Sequence, residues 1–189
     1  LAEHISSLLP IATPREWTYA SNQLKKWDLS QMKKFFHGFW YNRNPIDPKS
    51  EWEKYLRGVE QVNNLYSTIS IKGFATDRGR VYLKYGMPND IENSVYDKYT
   101  LPYQVWTFYK IGKQTNKLFV FVENALGTND YELIHSTVQG EKYNENWKNW
   151  IYRERGAVKD LDNSNDNRDI ILDLNNNLDD KGNRNQGDN

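Results

Sequence analysis

The apolar spacing of this chain switches once. Before Gly73 apolar residues recur every three or four positions, and after it they alternate in runs of two. A period of 3.6 specifies helices with one buried face, and a period of two specifies half-buried strands. A chain ordered in this way folds as helices first and sheet second.

The helical half carries its own start signals. Thr13-Pro14 with Glu16 reads as a capping box with proline in the first turn, followed by Trp17, Ala20, Leu24 and Trp27 on one face. Asp28 with Gln31 opens a second helix with the stripe Leu29, Met32, Phe36, Phe39 and Trp40. Asn44-Pro45 stops it, because a residue before proline avoids helical dihedrals. Asp47-Pro48 opens a third, with Trp52, Tyr55, Leu56, Val59, Val62 and Tyr66 at helical spacing. The expected helices are 14–26, 29–42 and 48–66.

Beyond Gly73, Val81, Leu83 and Tyr85 alternate with Arg80, Tyr82 and Lys84 up to Gly86-Met87-Pro88, so the first strand is expected there. Further strands are expected from Tyr103 to Tyr109, Lys117 to Glu123 and Tyr131 to Ser136. Short connections favour an antiparallel meander. The expected class is α+β, with N-terminal helices packed on a small antiparallel sheet of about four strands, then a short C-terminal helix and a polar tail. Residues 1–156 are read as one domain, in which residues 1–66 are helical, residues 68–136 form the sheet and residues 141–156 form a short helix. In residues 157–189, 17 of 33 are Asn or Asp, a composition too polar to bury a core.

Charge and cysteine content narrow the functions. The 189 residues hold 25 basic and 25 acidic side chains, and a net charge of zero argues against a general nucleic-acid or polybasic membrane binder. No cysteine is present, which excludes disulfides and thiolate chemistry. No apolar run reaches the roughly 18 residues of a membrane helix. The 27 aromatic residues offset a modest aliphatic content.

The densest local signal is Gly73-Phe74-Ala75-Thr76-Asp77-Arg78-Gly79-Arg80-Val81-Tyr82. Two glycines bracket a Thr-Asp pair able to bond its own backbone. Read functionally, Arg78 and Arg80 on one side of an early strand form an anion-binding corner. Read structurally, Asp77 satisfies amides and the arginines meet acids or aromatic faces. No Lys-Ser or Lys-Thr follows the glycines, so the phosphate-loop pattern is absent.

This segment resembles the motif of the GWxTD-domain family of bacterial cell-envelope proteins, common in Bacteroidota. Thr76, Asp77, Arg78, Gly79, Val81, Tyr82, Tyr85, Gly86 and Pro88 match it, with Phe74 in place of the motif tryptophan. Phe39-Trp40-Tyr41-Asn42-Arg43-Asn44-Pro45 is similar to the family's Phe-Trp-x-x-Arg-Asp-Pro segment. Trp106, Phe119 to Val122 and Asp130 to Leu133 also fit, so the likeness covers about residues 8–136. It implies an exported, often lipid-anchored protein associated with outer-membrane machinery, the anchor lying upstream of Leu1. It implies no reaction and no cofactor. Physically, Phe39, Trp40 and Phe74 are expected to pack helices onto the sheet, and Arg43 to cap a helix C-terminus or pair with Asp77.

Other side chains bear on chemistry. Asp130 and Glu132 share a predicted strand face and Glu123 ends another, a carboxylate set that suits a glycosidase if two converge. His4, His37 and His135 lack metal spacing. Asp162, Ser164 and Asp166, with Asp173 eleven residues after Asp162, place oxygens at alternate positions, a weak calcium pattern lacking the loop glycine and the terminal glutamate. Trp147, Trp150 and Tyr152, with Ile170 and Ile171, are candidate partner contacts. The expected function is a non-catalytic envelope module that binds protein subunits of a larger complex. The alternative is a glycan-binding or glycan-cleaving protein that uses aromatic platforms and the acids above.

Overall fold

In the computed structural model, which describes residues 1–94, 100–123 and 127–152, each capping signal of the helical half lies where the sequence places it. Helix α1 covers Ala2–Ser6 and a 3-10 turn follows at Leu9–Ile11. Helix α2 is Pro14–Gln23. The Thr13 hydroxyl accepts from the Glu16 amide, and the Glu16 carboxylate accepts from the Thr13 amide at 2.8 Å. Helix α3, Leu29–Tyr41, has the same reciprocal pair between Asp28 and Gln31. Helix α4 is Pro48–Tyr66, capped by Asp47. Here Asn44 Oδ1 accepts from the amides of Ile46 and Asp47 and so shapes the Pro45 turn. The first expected helix is shorter than its periodicity suggests, ending at Gln23 in a turn through Trp27.

The segment after Gly73 departs from expectation. Gly73–Ala75 is a 3-10 turn, and Asp77–Tyr85 is helix α5, not the first strand. Over nine residues the apolar positions satisfy both periods, since Val81 and Tyr85 lie four apart as well as in an alternating series. Thr76 decides the outcome as N-cap, accepting from the Gly79 amide at 3.1 Å. Gly86, at φ 87°, ends the helix in the left-handed region.

The sheet is an antiparallel meander ordered β1-β2-β3-β4, comprising Asp90–Ser94, Tyr103–Ile111, Gln114–Glu123 and Tyr131–Ser136. Strand β1 was not anticipated. Its sequence Asp-Ile-Glu-Asn-Ser has little strand character, and pairing with β2 creates it. The last helix, α6, is only Trp147–Ile151 within the expected 141–156. All described residues belong to one compact unit, Leu1–Arg153. The tail, with Asp162, Ser164, Asp166, Ile170, Ile171 and Asp173, lies outside the described residues. No helix among the described residues is long and apolar enough to cross a membrane.

Two apolar clusters hold the fold. One face of the sheet presents Trp106, Phe108, Phe119, Phe121 and Leu133, and Val59, Val62 and Tyr66 of α4, Phe74 and Val81 cover it. Trp106 is fully buried and pairs with Phe119 across the strands. Burying about 200 Å² of such a ring is worth about 5 kcal/mol. The second cluster is Leu8, Phe39 and Trp40, ringed by Phe35, Phe36 and Trp52. Phe39 and Trp40 therefore pack the helices on one another and not on the sheet. Only Phe74 of the three expected residues joins the sheet core. The cause is position: Trp40 lies where α3 meets the N-terminal turns, near Trp52 at 5.7 Å and Tyr55 at 5.5 Å.

Candidate functional site

The Gly73–Tyr82 corner is built by close backbone approach. A Cβ on Gly73 would lie 2.0 Å from the Val62 carbonyl oxygen of α4, and one on Gly79 would lie 1.8 Å from the Gly73 carbonyl oxygen. Both positions therefore require glycine. Polar side chains of α4 and its C-terminus meet the turn. Asn63 Oδ1 accepts from the Phe74 amide at 3.1 Å and Ser67 Oγ from the Gly73 amide at 2.9 Å. The Thr76 hydroxyl, buried, donates to the Gly73 carbonyl at 2.8 Å. One residue thus ties turn and helix together.

Asp77 and Arg78 carry the corner to the sheet. Asp77 Oδ2 accepts from the Leu133 amide of β4 at 2.7 Å, occupying a donor on the outer edge of that strand. Arg78 is 3% exposed. Its Nη2 donates to the Asn129 carbonyl at 2.7 Å and to Asn129 Oδ1 at 2.6 Å, and Nη1 reaches Gln104 Oε1 at 3.4 Å. The guanidinium lies 4.1 Å over the Tyr131 ring and 4.9 Å over the Tyr66 ring. Burial lowers its pKa, and burial raises those of Tyr66 and Tyr131. Aromatic faces and carbonyl dipoles replace the lost water. Glu123, also buried, accepts from the Asn129 amide at 2.8 Å and supplies opposite charge nearby.

Arg80 turns elsewhere, because residues two apart on a helix do not share a face. With Lys84 and Tyr85 it holds Glu141, whose side chain is 5% exposed, at 2.9, 2.7 and 2.6 Å. Burial pushes the Glu141 carboxyl up, but the Lys84 and Tyr85 hydrogen bonds and the Arg80 charge leave it below its ordinary value. The expected anion-binding pair Arg78 and Arg80 is thus divided between two internal partners. Tyr82 stands near Tyr66 at 6.5 Å, and Pro88 is buried after the Gly86 stop.

Arg43 does not pair with Asp77. It donates to the Phe39 carbonyl at 2.9 Å, which bears out its C-terminal capping role, and to both oxygens of Glu16 at 3.0 and 2.9 Å. It also reaches the Ile11 carbonyl and lies 3.4 Å over the Phe39 ring. The Arg43 hydrogen bond lowers the Glu16 pKa to about 2. The arginine therefore clamps α2 to α3, and its link to the sheet is not made.

The remaining candidates scatter. Glu123 pairs in register with Tyr131 and Val122 with Glu132, so Glu123 and Glu132 project from opposite faces and do not converge. Glu132 forms an ion pair with Lys142 at 3.0 Å, and Asp130 is exposed beside the Arg78 corner. His135 is buried, accepts from the Asn144 amide and stacks on Trp147. Burial lowers its pKa. His37 is exposed and stacks on Tyr41, while His4 packs near Trp52. No group of three metal-ligating side chains occurs among the described residues. Trp147 is 9% exposed and so is engaged internally, Trp150 is 66% exposed, and Tyr152 bridges to Thr100.

The sequence reading missed Asn63, Ser67, Gln104, Asn129 and Glu141. Their signal was indirect: a buried arginine demands acceptors, and Asn63 and Ser67 are polar residues beside the apolar stripe of α4. A search of curated proteins and of solved structures gave no match. The family comparison matched residues 3–156 to the GWxTD domain, which spans α1 through α6. This chain belongs to the GWxTD domain family.

Proposed function

We propose that the protein is a non-catalytic cell-envelope module that binds other proteins as a subunit of an outer-membrane-associated complex. The observation that supports this reading is the use of the motif. Thr76, Asp77, Arg78 and Arg80 each engage the fold's own backbone, carboxylates or rings, so the family's charged residues serve rigidity. A rigid body that displays Tyr143 and Trp150, 69% and 66% exposed, suits docking, because such rings bury much area for little lost freedom.

The test is gentle detergent extraction of the full chain from its native envelope after cross-linking. Stoichiometric partner subunits are expected, with Trp150→Ala reducing their recovery at least tenfold. A chain that migrates alone at native levels defeats the proposal. So does saturable oligosaccharide binding lost in Trp150→Ala, which would favour the glycan reading.

A further inference from the structure

The chain-wide charge of zero conceals a local excess. Between Arg15 and Lys34 stand five cations, Arg15, Lys25, Lys26, Lys33 and Lys34, against two acids. Both acids are already engaged: Glu16 is clamped by Arg43, and Asp28 caps α3. The four lysines are exposed, and none forms an ion pair among the described residues. They flank the turn between α2 and α3. Lys25 and Lys26 lie in the turn itself, and Lys33 and Lys34 in the second turn of α3. From Leu29 to Lys34 the helix rises about 7.5 Å, within a Debye length of about 8 Å at physiological salt. All four lysines therefore stand within about two turns of the α2–α3 connection and raise the positive potential at that end of the helix pair.

The same turn presents interfacial side chains. Leu29 is 59% exposed and Tyr19 58% exposed. Trp27, two residues before Leu29, sits half-buried 5.4 Å from the Tyr19 ring and 5.1 Å from Phe35. That stack holds the indole at the surface without chain flexibility. Lysines are compact point charges that suit a diffuse anionic surface better than a forked single ligand. Tryptophan and leucine beside them suit the boundary between headgroups and acyl chains.

We propose that the α2–α3 turn, through Lys25, Lys26, Lys33 and Lys34 with Trp27 and Leu29, docks peripherally on an anionic phospholipid surface. This reading does not depend on the proposed complex, because it concerns a different face and a lipid.

The test is co-sedimentation of the full chain with vesicles of phosphatidylcholine, with and without about one-third phosphatidylglycerol, at low salt. Binding to the anionic vesicles only is expected, falling roughly fivefold for each lysine changed to glutamine. Raising salt to about 0.5 M abolishes it. Exposed Lys→Gln changes leave the fold intact, which far-UV circular dichroism verifies. As a second measurement, brominated acyl chains quench bound wild-type protein more than Trp27→Phe. Absence of anionic-vesicle binding overturns the proposal. Equal binding to neutral vesicles does so too, as does binding unchanged in the four-glutamine variant. Retention on an acidic-peptide matrix without vesicle binding would assign the face to a protein partner instead.

Discussion

Gly79 faces the carbonyl oxygen of Gly73 so closely that a Cβ on Gly79 would stand 1.8 Å from it. Helix propensity alone makes Gly→Ala favourable by about 1 kcal/mol inside a helix. Here the sign reverses, because the obstacle is backbone and the helix start cannot retreat without breaking the Thr76 cap. Gly79→Ala is expected to lower unfolding free energy by about 3 kcal/mol or more in urea titration. Gly38→Ala in α3, where a Cβ meets nothing within 4 Å, is the control and should gain about 0.5–1 kcal/mol. Equal effects at the two sites would reject the close-packed corner.

Arg78 holds Asn129 by two donors while lying between two tyrosine rings. Both bonds to Asn129 come from Nη2, which a lysine nitrogen could imitate, but a lysine cannot also reach Gln104 and lay a planar face on the two rings. Arg78→Lys is therefore expected to cost about 2–4 kcal/mol, close to the loss in Arg78→Met. Full rescue by lysine, measured by chemical denaturation, would show that charge alone matters there.

Asp77 tests the edge of the sheet. Asp77→Ala exposes the Leu133 amide and is expected to cost about 1–2 kcal/mol, with faster hydrogen exchange at that amide. Asp77→Asn keeps an oxygen acceptor and should retain most of the protection. Unchanged exchange in the alanine variant would contradict the bond.

The Glu16 carboxyl carries a pH dependence. Its folded pKa, about 2, lies below the ordinary 4.5, so the folded state binds fewer protons than the unfolded chain across that interval. The stability it contributes is complete above about pH 4.5 and disappears as pH falls toward 2. Glu16→Gln should flatten the decline of thermal stability over that interval, leaving the share due to Glu141, whose pKa is also lowered. Identical acid profiles for wild type and variant would disprove the Arg43 clamp as its source.

Trp147 and Trp150 separate packing from display. Trp147 stacks on buried His135, so Trp147→Ala is expected to cost about 3 kcal/mol. Trp150→Ala should change stability by less than about 0.5 kcal/mol. Thermal melts of the two variants, compared with the wild-type chain, check both expectations.

The amino-acid sequence by itself determined what lies within a few residues of its own cause. The Thr13–Glu16, Asp28–Gln31 and Asp47 caps, the Pro45 break and the alternation in β2, β3 and β4 were all legible, because each hydrogen bond or period closes locally. Nine residues from Asp77 to Tyr85 fit two periods, and the Thr76 cap together with docking on α4 and β4 made them a helix. Polar β1 became a strand only by pairing with β2. Glu16, the acid that Arg43 clamps, and Asn129, which Arg78 holds, lie 27 and 51 residues away, where no spacing rule reaches. Tertiary structure alone chose them, since a buried or clamped guanidinium accepts whichever carboxylate, carbonyl or ring the packing brings within about 3–5 Å.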